Sequence, residues 1–489
     1  MKKPTSIFAK HYPVIIYLFI FTVLFSVKLV QNPFPFFDWD ESIYAQVGQE
    51  MIQQISPVVP LWQGQYWLDK PPLVPLFYGI VMLVTPFLQP EISTRLATLF
   101  LSVIALILMY MLYYRVLKET WITTLVVMIT SLTSIFLQRA QVLNVDVFLL
   151  IGWLGYVLFY RKFWISLVFL SFSVYSKSLI GFYPVGIMSL YFFFEAVTGR
   201  ISWKEFAKEI GKMLLQTGIL LVWHLAMFLR FGPNFLYQHF YESHVKRVTA
   251  SIESHFGQRT FYIDLLMIEY GKYFFISVLG FLIIFYQWLR KRINDKKILY
   301  SYFLFPWFIF LNLTKTKIFW YGHPYLGQFA FLMVYPITLL KKIKLFYFGA
   351  IVIIMSLVIQ HYFFRTNVLD DFYSSNDPHH ELSQYANEYC QNLYVVVEPE
   401  GREASKTLEE MALLISTSRW WGNHPSMVYY FDGDVHFIYT IEKLEQAVRT
   451  PEKDSCFVLN KNDTESLDLV GSLDRLQSFD PLELYLYSY

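Results

Sequence analysis

Eleven runs of mostly apolar residues, near 12–30, 96–114, 121–137, 145–160, 163–176, 179–194, 213–231, 272–289, 298–313, 324–340 and 345–364, leave this chain few folds to choose from. Inside lipid every backbone polar group must be satisfied within the protein, and about 20 apolar residues in a helix cross the hydrocarbon. A composition of 55% hydrophobic, 20% aromatic and 16% charged residues excludes an ordinary soluble domain. The amino end, MKKPTSIFAKHY ahead of an apolar run from Pro13 to Val30, resembles a signal peptide. The run is too long, however, and no small-residue cleavage site follows, so it reads as an uncleaved first span.

A twelfth apolar run, 73–89, is short, holds Pro75 and Pro86 and follows the polar stretch QGQYWLDK. Basic residues decide its status, because cytoplasmic loops collect Lys and Arg. With 73–89 lying along the interface, every second loop carries a basic cluster: Arg115 and Lys118, Arg161 and Lys162, Arg200 through Lys212, Arg290 through Lys297, and Lys341, Lys342 and Lys344. These then share a side with Lys2, Lys3 and Lys10. The expected architecture is mainly α: a polytopic membrane helical bundle of about 11 spans, with interfacial helices in its first outer loop. Residues 1–364 form this domain, with large outer loops at 31–95 and 232–271.

From 365 to 489 the composition turns polar. Runs such as LYVVVEP, MVYYFDGDVHFIY and SCFVLNK alternate or cluster like strands, and SKTLEEMALLIS reads as helix. This predicts a small α/β domain on the outer side, with turns at Gly401, Gly422 and Gly433. Cys390 and Cys456 are compatible with one disulfide there, and show no zinc or redox spacing. No tandem repeat is evident.

The loops assigned to the outer face hold nearly all the unusual polar residues. FDWDE at 37–41 gathers Asp38, Asp40 and Glu41; WLDKPP follows at 67–72; Arg95 heads the second span and Asp146 a later one; Lys177 sits at a span end; KTKIFWY occupies 315–321. Acidic loop residues more often solvate a chain reversal than catalyse. Ionisable groups at membrane depth are costly, though, and are usually kept for function beside a partner.

In this order, DWDESIYAQVGQEM, WLDKPPL, STRLATLF, RAQVLNVDVF, YSKSLIGF and TKTKIFWYGHPY resemble the lipid-linked sugar transferases of the GT-C superfamily. The likeness is to the aminoarabinose transferases acting on lipid A and to the related protein O-mannosyltransferases. It covers the membrane part from 36 to 340, and the outer domain agrees only in kind. It implies an inverting glycosyltransferase in the bacterial inner membrane, with its site on the periplasmic side. The donor would be a polyprenyl-phosphate sugar and the acceptor lipid A, a glycan or a protein; no cofactor and no nucleic acid is expected.

By matching motifs, the resemblance makes Asp40 and Asp146 the catalytic acids. Glu41, Lys70, Arg95, Lys177, Lys317 and Tyr321 become substrate-binding residues, Arg95 through a pairing with the outer loop. Where the family commonly has D-E-x-R-Y-A this chain has DESIYA, so Ile43 stands in place of a phosphate-binding arginine and Lys317 or Lys177 would have to compensate. Chemically, a departing lipid phosphate needs fixed cations to absorb its charge. The acceptor hydroxyl needs a carboxylate base, and Asp40 suits that role.

A divalent metal is compatible with Asp69, His239 and His244, with Glu242 between the histidines, although their spacing fits no established metal motif and interfacial hydrogen bonding is the blander account. Trp320 is the one aromatic whose place, between Lys317 and Tyr321, suggests more than lipid contact. Two rivals use the same charges: a transporter or flippase of a lipid-linked precursor, and a noncatalytic membrane subunit. The first would favour internal halves related by repeat, which the chain lacks.

Overall fold

The computed structural model describes residues 7–250, 255, 257–373, 378–397, 424–452, 454–470 and 473–487. The stretch SKTLEEMALLIS and the turns at Gly401 and Gly422 lie outside the described residues.

Each apolar run folds as helix. The first ten helices are α1 (Ile7–Gln31), α2 (Asp40–Gln53), α3 (Leu73–Val84), α4 (Pro90–Leu117), α5 (Thr120–Ser131), α6 (Ser134–Arg139), α7 (Asp146–Phe159), α8 (Phe163–Lys177), α9 (Tyr183–Val197) and α10 (Trp203–Phe231). Later membrane-type helices include Phe274–Leu289, Phe305–Leu313, Leu326–Val334 and Lys344–Tyr373. By length and composition, five stretches among the described residues are able to cross a membrane: Lys10–Gln31, Pro90–Leu117, Phe163–Val197, Trp203–Phe231 and Phe261–Leu289. The chain is therefore an integral membrane protein.

Local sequence explains the boundaries. Pro90 opens α4, where its missing N–H costs nothing, and Ser202 and Glu205 form a reciprocal capping box at the start of α10. The apolar stretch 163–197 breaks at Ser178, whose φ of 50° no helix accommodates. There Ser173 Oγ donates to the Gly181 carbonyl at 2.9 Å, a closeness that requires the chain to turn back on itself. Lys177 is left at the bend.

α3 has 12 residues, a length of about 18 Å, which falls short of the roughly 30 Å of hydrocarbon. It lies instead against α2, where a Cβ on Gly48 would sit 2.5 Å from the Pro75 carbonyl oxygen and 2.9 Å from the Gly79 nitrogen. Two bare glycines permit that approach.

The basic loops meet one another. Thr120 Oγ1 donates to the Lys10 carbonyl at 3.1 Å, Lys341 pairs with Glu119 at 3.0 Å, and Arg115 reaches both the Leu158 carbonyl and Tyr300 at 3.0 Å. Arg200 pairs with Asp295 at 2.6 Å. The unusual acids and their partners gather elsewhere, around the start of α2.

The carboxyl-terminal part carries a five-stranded sheet in the order β4-β3-β5-β7-β6, built from β3 (Asn392–Val396), β4 (Asp434–Ile438), β5 (Ser455–Asn460), β6 (Asp474–Phe479) and β7 (Leu482–Leu486). β3 runs parallel to β4 and β5, and β7 antiparallel to β5 and β6. A two-stranded ribbon, β1 (Leu61–Trp62) and β2 (Gln65–Tyr66), lies in the first loop. Within MVYYFDGDVHFIY only the second half is strand. The first half belongs to the helix Pro425–Tyr430, opened by Pro425 and turned off before β4 at Asp432–Gly433. Cys390 and Cys456 form a disulfide.

Candidate active site

The site starts from an ion pair that fixes the backbone around it. The Glu41 carboxylate takes hydrogen bonds from Arg95 Nε (3.1 Å) and Nη2 (2.6 Å) and from the Phe37 and Leu143 N–H groups (both 2.9 Å). Arg95 also donates to the Phe34 and Pro35 carbonyls, at 2.7 and 2.8 Å. Both side chains are 2% exposed. With its hydrogen bonds filled in this way, the pair locks the loop between α1 and α2 to the head of α4 and to the loop before α7.

Between the lock and α2, Trp39 adopts φ 74°, a conformation costing on the order of 1–3 kcal/mol for a residue with a side chain. Such strain persists where the surroundings over-determine it, and here it sends the next side chain, Asp40, into open space. The Asp40 carboxylate is 41% exposed and lies 3.6 Å from Arg139 Nη2. It faces a cavity of about 400 Å³, lined among others by Tyr44, Asp69, Lys70, Arg139, Lys177, Arg247, Trp320 and Tyr321. Because that exposure is to a chamber walled by protein, desolvation still dominates. It holds the Asp40 carboxyl above the usual aspartate range, although the Arg139 guanidinium pulls the other way.

Asp146, buried at the head of α7, accepts from Arg139 at 3.1 Å and from Lys177 at 3.0 Å, so it aligns two cations that line the cavity. Lys177 Nζ also lies 4.2 Å from the centre of the Tyr321 ring. Lys70 pairs with Asp69 at 2.5 Å, and Asp69 accepts a further hydrogen bond from the Ser243 hydroxyl. Burial pushes the Asp69 carboxyl up, but Lys70, Arg247 and these hydrogen bonds outweigh it and bring it below its ordinary value. Arg247 donates to the Tyr321 hydroxyl at 3.2 Å. It follows directly on the π-helical stretch Leu236–Lys246, a conformation frequent at functional sites.

A second cavity of about 500 Å³ opens beside the first, walled by Leu179, Ile180, Tyr183, Trp307, Phe310 and Leu311. Lys70, Lys177, Arg247 and Tyr321 line both chambers. A polar chamber holding a carboxylate thus meets an apolar groove across a wall of cations and a phenol. That is the chemistry of a site for an anion carrying an apolar chain.

Asp40, Glu41, Lys70, Lys177 and Tyr321 all border the first cavity, and Asp146 stands one layer behind it. Lys317 is directed elsewhere. Its ammonium donates to the Leu311 and Asn312 carbonyls at 2.8 and 3.0 Å, capping the helix Phe305–Leu313. The expected metal trio does not assemble: His239 spends Nδ1 on the Leu68 carbonyl and Nε2 on Ser178 Oγ, at 3.0 and 2.8 Å. Burial pushes its pKa down to about 3, so it stays neutral. Among the described residues, one His and carboxylate group has the proximity a metal needs, formed by Asp38, His379 and His424. Arg139 and Arg247 were not singled out from sequence, although Arg139 is the first residue of RAQVLNVDVF and Arg247 follows YESHVK.

The fold is similar to that of two solved membrane proteins, ArnT and AglB. ArnT, the aminoarabinose transferase of Cupriavidus metallidurans, matches in its undecaprenyl-phosphate complex and its apo state with a TM-score of 0.67 for each; both matches cover 96% of this chain and 97% of theirs, at 12% and 11% identity. The oligosaccharyltransferase AglB of Archaeoglobus fulgidus, in complex with an inhibitory peptide and a dolichol-phosphate, matches 83% of this chain and 60% of its own with a TM-score of 0.55 at 15% identity. In sequence, an uncharacterized protein of Aquifex aeolicus (strain VF5) is 25% identical over 340 residues, which are 66% of this chain and 65% of that protein. No family model matches the chain.

Proposed function

We propose that this protein transfers a sugar from a polyprenyl phosphate to an acceptor of the cell envelope. The observation that carries the reading is the set of four residues, Lys70, Lys177, Arg247 and Tyr321, shared by the polar chamber and the apolar groove. The groove takes the first isoprene units, the shared wall takes the phosphate, and the sugar projects toward Asp40. Three of these four residues are cations, Lys70, Lys177 and Arg247, and no carboxylate among the described residues lines both chambers, so the shared wall itself is positive where the phosphate would sit.

Asp40 accepts the proton of the acceptor hydroxyl as that oxygen attacks the anomeric carbon. The bond from carbon to phosphate oxygen breaks on the opposite face, and the configuration inverts. The phosphate leaves as an anion without needing an acid, its charge absorbed by Lys70, Lys177 and Arg247. Arg139, held by Asp146, favours the ionised form of Asp40 against the burial that raises its carboxyl.

We read eleven of the helical stretches as crossings, residues 1–364 as the membrane domain and 365–489 as the outer domain. The Cys390–Cys456 disulfide calls for an oxidising compartment, which suits the periplasmic side of a bacterial inner membrane. The acceptor is lipid A, another glycan or a protein hydroxyl, and the donor sugar a hexose or pentose. Detergent-purified protein incubated with labelled polyprenyl-phosphate sugar and envelope extract is expected to give labelled product. Lipid that is bound or moved but never cleaved would instead indicate a flippase.

A further inference from the structure

Asp38, two residues before Asp40, borders the same cavity but commits both carboxylate oxygens to the outer domain. Its Oδ2 lies 2.9 Å from His424 Nδ1, and its Oδ1 accepts from the Ser426 N–H at 2.9 Å. The His379 and His424 rings stack with centroids 3.9 Å apart and planes at 20°. One potential ligand atom from each of the three residues lies within 4.8 Å of the others.

We propose that Asp38, His379 and His424 bind a divalent transition-metal ion of the zinc class, which fastens the outer domain to the loop carrying Asp40. A hydrogen-bonded His–Asp pair accounts for one imidazole. A second imidazole, from the separate helix Pro378–Ala386, stacks on the first and brings a third ligand atom to the same place. Tetrahedral zinc with bonds of about 2.0–2.1 Å keeps its ligand atoms roughly 3.3 Å apart, and the 2.9 Å contact and the 4.8 Å limit bracket that spacing. Two imidazoles and one carboxylate suit zinc or cobalt better than calcium or magnesium, which prefer oxygen ligands throughout. Three protein ligands leave a fourth position for water, and the Ser426 N–H orients the carboxylate from behind. Asp38 and His424 are 19% and 27% exposed, open enough for an ion to enter.

The site is tested without turnover, so its failure is distinguishable from failure of the transferase reading. Full-length protein in detergent is stripped with a chelator, then titrated with Zn²⁺ by calorimetry and with Co²⁺ by visible absorption. About one ion per chain is expected, with the intense bands of near-tetrahedral cobalt. His379→Gln and His424→Gln should each weaken binding at least tenfold, whereas His244→Gln should bind as the unaltered chain does. Should His424→Gln unseat the outer domain, Asp38→Asn, whose amide oxygen still accepts from Ser426, must show the same loss. No stoichiometric binding by the unaltered chain overturns the proposal. So does unchanged binding in the two histidine variants, or loss of binding in His244→Gln.

Discussion

Adjacent acids at the start of α2 are expected to fail in opposite ways. Asp40 makes one ion contact at 3.6 Å and is 41% exposed, so Asp40→Asn should change stability by no more than about 1 kcal/mol. The same change removes the only role proposed for that carboxylate. A lost general base lowers the rate by roughly a hundredfold to ten-thousandfold, which corresponds to about 3–5 kcal/mol on the barrier. Glu41 is 2% exposed and accepts four hydrogen bonds, two of them from Arg95. Glu41→Gln leaves Arg95 charged and buried without its counter-ion, at a cost of about 3–5 kcal/mol in stability. Both variants are assayed for initial transfer rate at saturating labelled donor and for thermal unfolding in detergent. Asp40→Asn should unfold with the unaltered protein and transfer almost nothing, and Glu41→Gln should unfold early. An Asp40→Asn enzyme within threefold of full rate would refute the assignment, and a thermally normal Glu41→Gln would refute the locking role of the buried pair.

Gly48→Ala is expected to destabilise the α2–α3 contact by about 1–3 kcal/mol, because the new methyl meets backbone atoms that have no room to rotate away; thermal unfolding reports it. Lys317→Gln should lower the unfolding temperature while leaving transfer per folded molecule within about threefold, and Lys70→Gln should do the reverse, in keeping with a cap and a phosphate contact. Tyr430→Phe removes a hydroxyl that accepts from the Phe36 N–H and donates to Glu91, both at 2.7 Å. The loss of about 1–3 kcal/mol should show as faster proteolysis of the carboxyl-terminal domain together with a lower transfer rate.

Much of this molecule is readable from its residues, and the unread parts share a cause. Hydrophobic runs and basic loops mark the helices and the loops that meet, since both are properties of short windows. Asp40, Lys70 and Lys177 stand out because charge beside lipid-length segments is conspicuous, and Tyr321 stands out only through the family motif that TKTKIFWYGHPY resembles. Arg139 did not, because its importance lies in distances to Asp40 and Asp146 that no local pattern reveals. Lys317 looked equivalent to Lys177 in a string of letters, yet a helix end lay within its reach and took its ammonium. MVYY reads as strand by composition, and becomes helix because Pro425 starts one and Met427 and Val428 find a buried face. His379 and His424 carry no spacing signature at all; only folding brings them to Asp38.

The contacts from Asp38 to Ser426 and from Phe36 to Tyr430 span 388 and 394 positions of chain. The ribosome therefore makes one end of each contact almost the whole membrane part ahead of the other. Until residues 426 and 430 have emerged, the loop bearing Asp40 has its Glu41–Arg95 brace but not these two. On the transferase reading, a nascent polypeptide already threaded into the bilayer would wait for that later segment before its site is complete.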